Sequence, residues 1–183
     1  MKVFRAEHLP PLDETDILNP QNTDAYIKAA FAGSSATTKT VDDNLNPEFN
    51  QELTLACSLP VMNSRIKVEV WDDDLIKDER ISSFYLSFKK IKDKKEAPRW
   101  ENLYGPPIGA EGEVADMMTK FPDRGSTYRG RVLFAIETHN QMDPKSETLD
   151  LEFKFPENPS PNVAEVEYQL RVDLYSGLEL PEK

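Results

Sequence analysis

Three consecutive aspartates, Asp72, Asp73 and Asp74, are the clearest candidates for functional side chains in this sequence. Asp72 and Asp74 are two residues apart, so in an extended chain their carboxylates leave on the same side. Carboxylates about 4 Å apart repel by about 1 kcal/mol in water and by several times that at an effective dielectric near 20. A fold that gathers such groups usually holds a cation, and hard oxygen ligands favour Ca²⁺ over zinc or copper.

The composition argues against several other classes of protein. The 183 residues carry a net charge of −11, whereas sequence-independent nucleic-acid binding needs a basic surface. The single cysteine, Cys57, excludes an internal disulfide and fits a reducing compartment. No run is long and apolar enough to span a bilayer, and the first residues show no signal-peptide pattern.

The sequence predicts that the aspartates follow directly after a short β-strand, one of several in the chain. Ile66, Val68 and Val70 alternate with polar neighbours directly before Asp72, which is the period of a strand. Similar runs separated by Gly, Pro and Asn recur along the chain and predict an all-β domain, a sandwich of eight strands. The predicted strands are 1–9, 24–31, 36–41, 49–57, 65–71, 81–88, 100–104 and 128–137, with a candidate helix over 113–120. The alternation of 53, 55 and 57 also predicts a buried Cys57 thiol.

The segment after residue 139 has a different character. Residues 140–166 are predicted to be a linker with a candidate extra strand at 149–155, and residues 168–175 alternate again. A lone strand has an unpaired edge and does not fold by itself. The sequence leaves three alternatives open for this strand: disorder, docking on a sandwich edge, or exchange between copies.

Taken in order and at matching intervals, segments 9–13, 24–28, 45–50 and 70–74 resemble the successive landmarks of a C2 domain. Segments 81–87, 100–107 and 128–133 resemble an internal C2 domain of the ferlins, multi-C2 membrane-anchored proteins of vesicle fusion and membrane repair. The resemblance implies an eight-stranded antiparallel C2 β-sandwich of type II topology over 1–139, with three calcium-binding loops at one end. It also implies that 167–183 is a C-terminal tail strand, the opening strand of the following ferlin module.

The resemblance implies a set of calcium ligands. Asp13 and Asp24 would supply carboxylates from the first loop and Asp72 and Asp74 from the third. The backbone carbonyls of Leu12 and Asp73 would complete the shell. The alternative is that these aspartates form turns or helix caps.

One position departs from the pattern of the calcium-binding members. Arg80 stands where they place a fifth carboxylate, and Asp78 and Glu79 are the residues that would substitute for it if the loop shifts. If they do not, an always-charged guanidinium beside the loops would weaken binding of a second ion or neutralise the loops without calcium.

Two apolar pairs, Ile17 with Leu18 and Leu75 with Ile76, lie in the middle of the predicted loops. Exposed on neighbouring loops, these side chains would insert into a membrane interface. The alternative is that they pack under the loops.

The remaining charged and reactive residues give weaker signals. Lys28 and Lys39 are the only lysines at the positions of the family's phosphoinositide cluster. The basic run 89–95 is typical of a solvated loop, with a lipid or protein contact as the alternative. His8 and His139 lie at strand ends and no catalytic grouping is apparent, so we expect no enzyme.

These observations favour a calcium-dependent phospholipid-binding module of a ferlin, acting in vesicle-membrane fusion, exocytosis or membrane repair. The expected partners are anionic phospholipid membranes, neighbouring ferlin modules and, as candidates, membrane-fusion proteins. The expected location is the cytoplasmic face of a membrane or vesicle, within a larger tail-anchored protein whose anchor lies outside this fragment. The alternative is a calcium-independent protein-interaction or structural C2 module within a multi-C2 ferlin, which Arg80 favours.

Overall fold

A computed structural model describes residues 1–12, 23–74, 78–92 and 94–139. Within these ranges the chain forms eight strands, two short helices and one 3-10 turn at Pro122–Arg124. The strands are β1 (Lys2–Glu7), β2 (Ala25–Phe31), β3 (Ser34–Thr37), β4 (Glu48–Glu52), β5 (Arg65–Asp72), β6 (Glu79–Ser87), β7 (Lys95–Gly105) and β8 (Thr127–Glu137). The helices are α1 (Phe88–Ile91) and α2 (Glu113–Lys120).

The strands form two antiparallel four-stranded sheets. Their strand orders are β4-β1-β8-β7 and β3-β2-β5-β6. The last strand of the described chain lies beside the first, with Lys2 opposite Ala135 and Glu7 opposite Arg131. The predicted all-β sandwich of eight strands is confirmed, and the place of β8 between β1 and β7 agrees with the type II topology.

The core lies between the two sheets and explains their alternating sequences. Ile27 on β2 and Val68 on β5 are fully buried in one sheet, as are Val3 and Phe134 in the other. The rings of Phe84 and Phe134 join the sheets at a centroid distance of 5.5 Å. Burying each such side chain contributes about 1.5–3 kcal/mol. The core therefore fixes which face of every strand points inward and where each strand ends.

The strand register places the important loops at one end of the sandwich, which we call the apical end. β1 and β5 end there, whereas β2, β6 and β8 begin there. The connections at the apical end are 8–24, 38–47, 73–78 and 106–126. The connection 53–64 lies at the opposite, basal end, where Leu53 donates its N–H to the Met1 carbonyl.

The structure corrects several predicted boundaries. β3 begins at Ser34 rather than at 36, because the hairpin turn consists of Ala32 and Gly33, whose φ angles of 49° and 86° match a twisted two-residue hairpin. β7 begins at Lys95 rather than at 100, and β3 ends at Thr37 rather than at 41. The helix predicted over 113–120 is confirmed in full.

The expectation of a buried Cys57 is wrong, since this thiol is exposed. The physical reason is the length of the neighbouring strand. β4 pairs with β1, which begins at Lys2, and the last paired residue of β4 is Glu52. After Leu53, β1 offers no further residues for this part of the chain to pair with. The alternation in the sequence therefore no longer determines which side chains are buried.

Gly130 controls how closely β8 approaches the start of the first apical loop. Its φ is 99°, and an added Cβ would lie 2.6 Å from the Glu7 carbonyl oxygen. We expect Gly130→Ala to reduce the free energy of unfolding by about 2–4 kcal/mol, measured by urea denaturation. Gly109→Ala is the matched control, because Gly109 also has a positive φ but has open space around it. Equal losses in both variants would contradict this account.

Candidate functional site

The base of the first apical loop is closed by hydrogen bonds to the second. The Thr23 hydroxyl, fully buried, donates to the Pro10 carbonyl at 2.6 Å. The Asn44 N–H donates to the Thr23 carbonyl, and the Leu9 N–H to the Leu45 carbonyl. The two loops therefore leave the sandwich from one shared, fixed base.

Asp24 and Asp72 join the first apical loop to the third. The Asp24 N–H donates to Oδ1 of Asp72 at 2.7 Å, and the Asp73 N–H donates to the Asp24 carbonyl at 2.9 Å. The Asp24 carboxylate in turn accepts the Asp43 N–H at 2.8 Å, which connects the second loop as well. All three loops thus meet at Asp24.

Asp72 is only 1% exposed. It follows Val70 on the inward-facing side of β5, opposite Glu79 of β6. Burial of a carboxylate costs free energy unless hydrogen bonds compensate it, and the Asp24 N–H is one such compensation. The sequence places Asp72 here because it continues the inward alternation of Ile66, Val68 and Val70 one position past the apolar core.

The structure brings only part of the predicted ligand set together. Asp24 and Asp72 are adjacent, and Asp74 is half-buried on the third loop. Leu12 is half-buried and packs on the core. Within the described ranges, no three Asp, Glu, His or Cys side chains converge in a metal-ligating group. Asp13, Ile17, Leu18, Leu75 and Ile76 lie outside the described residues.

Two other predicted ligands have hydrogen-bonded carboxylates. Asp73 accepts the Thr40 hydroxyl at 2.8 Å, and Asp78 accepts the Tyr26 hydroxyl at 2.6 Å. Burial, together with this bond to Asp78, raises the pKa of Tyr26. Sequence reasoning assigned no role to Tyr26 or Thr40. The sequence offered a clue to both, because Tyr26 follows Asp24 by two residues and Thr40 precedes the acidic pair Asp42 and Asp43 by two.

Arg80 is held on the outer face of the second sheet. Its Nη1 donates to Oε1 of Glu69 at 2.9 Å and its Nη2 to the Thr119 carbonyl of α2 at 2.7 Å. Its guanidinium carbon lies 5.8 Å from the centre of the Trp71 ring. Among the described contacts, Glu69 and α2 therefore engage this cation, and no loop aspartate does.

Glu69 balances two cations at once. Its Oε1 lies 2.6 Å from Nζ of Lys67 and 2.9 Å from Nη1 of Arg80. Burial by itself would raise the pKa of Glu69, but hydrogen bonds from Lys67 and Arg80 outweigh it and hold that pKa below its ordinary value. The carboxylate is therefore ionised under physiological conditions and anchors Arg80 away from the loop tips.

Arg129 is a further apical residue that sequence reasoning missed. It is buried, and its Nε donates to the Pro106 carbonyl at 2.8 Å while Nη1 donates to the Ile81 carbonyl at 3.3 Å. Burial lowers the pKa of its guanidinium. These bonds fasten the start of the 106–126 connection to β6, beside the third loop.

A groove of about 950 Å³ opens between the edges of β6 and β7 and includes Tyr85, Trp100 and Tyr104 in its lining. The Phe88 N–H bonds to the Ser64 carbonyl directly opposite. Because hydrogen-bonded pairs alternate in an antiparallel ladder, Ser83, Tyr85 and Ser87 direct their backbone groups away from β5 into this groove. Among the described strands, none pairs with this edge of β6.

A family model described as "C2 domain" matches residues 1–103, more than half of the chain. The chain therefore belongs to the C2 domain family. It is also homologous to ferlins over most of its length, as expected of an internal ferlin C2 domain. It is 27% identical to myoferlin of Mus musculus over 82% of the chain, and 24% identical to Ferlin 2 of Tetrahymena thermophila over 74%.

The chain spans only about 9% of the length of the myoferlins it matches. Among solved structures, the tandem C2 domains of Extended-Synaptotagmin 2 align with 74% of this chain over 40% of their own, at a TM-score of 0.53 and 15% identity. A structure of the same tandem domains described as calcium bound aligns at a TM-score of 0.50. These likenesses support the fold.

The matched families also bear on the class of protein. The C2 and ferlin families that the chain matches are families of non-enzymatic modules. Within the described residues, the helices are too short and too polar to cross a membrane.

The ion pairs of Glu69 with Lys67 and Arg80 predict how the stability of the fold depends on pH. Because its pKa is depressed in the folded protein, Glu69 stabilises the fold above its unfolded-state pKa, and this is lost as pH falls through the folded-state value. We expect Glu69→Gln to be less stable than the parent by about 1–2 kcal/mol at neutral pH. The difference should shrink as the pH falls through the folded-state pKa of Glu69. Urea denaturation at a series of pH values measures it.

Glu101→Gln is the control, because Glu101 pairs with the exposed Arg99 at 2.6 Å and a surface ion pair contributes little. A Glu69→Gln variant as stable as Glu101→Gln at neutral pH would contradict the role assigned to Glu69.

Proposed function

We propose that this chain is a calcium-dependent phospholipid-binding C2 module of a ferlin, acting in vesicle-membrane fusion, exocytosis or membrane repair. The observation that carries the proposal is the joining of Asp24 to Asp72 at the apical end, where the N–H of one bonds to the carboxylate of the other at 2.7 Å. This contact fixes the backbone of Asp24, at the end of the first loop, against the carboxylate of Asp72, at the start of the third, which supports a cation site between these loops.

The residues that would hold Ca²⁺ are Asp13, Asp24, Asp72 and Asp74, with the carbonyls of Leu12 and Asp73. All six supply oxygen, the donor that calcium prefers, and six is within its usual coordination number. Bound calcium would supply positive charge at loops that otherwise repel anionic lipid. The hydrogen bond from Arg80 to Glu69 supports the proposal, because the guanidinium then pairs with Glu69 rather than with the loop aspartates.

The membrane contact would come from the apolar loop residues. Ile17 and Leu18 on the first loop and Leu75 and Ile76 on the third belong to the two loops that Asp24 and Asp72 join. Each side chain buried in the membrane interface contributes about 25 cal/mol for every Å² of apolar surface removed from water. The proposed location is the cytoplasmic face of a membrane or vesicle, as part of a larger anchored protein.

Calcium should stabilise the chelator-stripped protein. A ligand at a hundredfold its dissociation constant adds about 2.7 kcal/mol to the free energy of unfolding, so binding should appear as a clear rise in melting temperature. Calorimetric titration of calcium, with melting temperature recorded in parallel, measures both. The absence of heat and of any shift at millimolar calcium would contradict the proposed site.

Asp72→Asn combined with Asp74→Asn should abolish calcium-stimulated binding to phosphatidylserine vesicles. Asparagine keeps an acceptor for the Asp24 N–H, so the melting temperature without calcium should stay close to that of the parent. Glu48→Gln with Glu52→Gln is the matched control, since it removes two exposed carboxylates from β4. Unchanged calcium stimulation in the loop variant would refute the proposal.

A second candidate function is a calcium-independent protein-interaction or structural module within a multi-C2 ferlin. The open β6 edge favours it, since strand addition to an exposed edge is a common mode of peptide recognition. Titration with purified neighbouring ferlin modules, in EGTA and in calcium, separates the two candidates. Binding of equal strength in both conditions, weakened by Tyr85→Pro, would favour the second.

A further inference from the structure

The connection between β6 and β7, at the basal end of the sandwich, is strongly basic. Residues 88–95 contain five lysines and one aspartate, in a chain whose net charge is −11. The ring of Phe88 packs against that of Phe31 at a centroid distance of 4.8 Å, and Ile91 is buried in the core. The side chains around these two anchors are exposed, and they are Lys89, Lys90, Lys92 and Lys94. α1 therefore turns its apolar residues toward the core and its lysines toward solvent.

Cations outnumber carboxylates at this end of the sandwich. The described cations in the basal connections or next to a basal strand end are Lys2, Arg65, Lys89, Lys90, Lys92 and Lys94. The described carboxylates at the same level are Glu52, Glu96 and Glu137. Glu96 pairs with Arg99 at 3.6 Å. Among the ion pairs of the described residues, none involves the four lysines of 88–95, so these ammonium groups can meet an anionic partner.

The second basal connection, 53–64, adds exposed apolar side chains and no charge. None of its residues is ionisable at neutral pH. Residues 56–60 are all exposed, with Leu59 at 54%, and Met62 is fully exposed. Val61 packs against the core and anchors the connection. A segment without charges can enter an apolar environment without the cost of burying an ionised group.

The two connections are joined by a backbone hydrogen bond. The Phe88 N–H donates to the Ser64 carbonyl at 2.7 Å. Met62 precedes Ser64 by two residues, and Lys89 and Lys90 directly follow Phe88. Successive Cα atoms are about 3.8 Å apart, so the exposed methionine and the first lysines belong to one continuous surface. We call residues 56–62 together with the four lysines the basal surface.

The chemistry of the basal surface fits an anionic bilayer better than an acidic protein. Lysines are depleted in protein–protein interfaces. Near an anionic leaflet, by contrast, each lysine raises the affinity by about fivefold. The lysine stem lies along apolar surface while its ammonium reaches the phosphates, which allows the uncharged side chains beside it to approach the acyl boundary.

We propose that the basal surface binds anionic phospholipid without calcium, with Leu59 and Met62 at the acyl boundary and the lysines of 88–95 at the lipid phosphates. The inference goes beyond the proposed function, because it places a lipid contact at the end of the sandwich opposite the candidate calcium ligands. Calcium would then control only the apical contact, and the basal contact would persist in its absence.

The first test measures binding of the full chain, in EGTA, to vesicles of phosphatidylcholine and phosphatidylserine. Lys89→Gln with Lys90→Gln should weaken binding about thirtyfold, which is about fivefold for each lysine. Lys28→Gln with Lys39→Gln is the matched control, since it removes the same charge from outside the basal end and should change binding less than about twofold. Equal losses in both variants would mean that binding follows net charge, and would overturn the inference.

The second test reads the contact directly. Cys57 is exposed, lies in the 53–64 connection and is the single cysteine of the chain, so it takes a fluorescent label at the basal surface alone. A lipid-borne quencher should quench this label on vesicle-bound protein in EGTA. The control is Cys57→Ser with Ile108→Cys, which moves the label to an apical position that is 58% exposed and should escape quenching in EGTA. Quenching at 108 and not at 57 would contradict the proposed contact.

The outcomes separate this inference from the proposed function. Binding that occurs in calcium and not in EGTA would refute the inference, leave the proposed function standing and point to an acidic protein as the partner of the basal surface. Binding that falls in the Lys89 and Lys90 variant but shows no calcium stimulation would support the inference and refute the calcium dependence. A parent protein that binds no vesicles under either condition would overturn both.

Discussion

A hydrogen bond between two aspartates is the constraint on which the apical end of this protein depends. The Asp24 N–H donates to the carboxylate of Asp72, which is almost completely buried. The bond sits where β2 and β5 finish pairing, with Ala25 opposite Asp72. Because a buried carboxylate needs hydrogen-bond donors, the two strand ends are held in one relative position. The carboxylate thus contributes to the fold and, in the proposed function, to binding calcium.

Arg80 links this site to the rest of the apical end. A guanidinium at that position would weaken a calcium site if it faced the loops, but Glu69 and the Thr119 carbonyl engage it instead. Glu69 also pairs with Lys67, so the three side chains leave one net positive charge on the outer face of the sheet. The residue that departs from the pattern of the calcium-binding members therefore serves a structural purpose, which is to fasten α2 beside the third loop.

The apical end accordingly combines two kinds of surface in one rigid frame. The loops around Asp24 and Asp72 carry acidic side chains, whereas the 106–126 connection carries exposed apolar side chains beside Lys120 and Arg124. Both are fixed by buried polar contacts to backbone carbonyls, from Thr23 and from Arg129. Such an arrangement fixes the acidic loop ends and the 106–126 connection relative to one another at the same end of the sandwich.

Hydrophobic alternation and turn residues were enough to predict the all-β fold, the strand faces and the helix over 113–120, because these are local signals that burial then reinforces. The family resemblance also indicated Asp24 and Asp72 as neighbours. Features that depend on partners distant in sequence became visible only in the folded chain. Cys57 is exposed because β1 is too short to continue the ladder beside it, and Arg80 is held by Glu69 and by α2, whose Thr119 lies 39 residues further along the chain. Local patterns contain no information about which strand ends first or which carbonyl a side chain reaches, since those are set by how the two sheets pack.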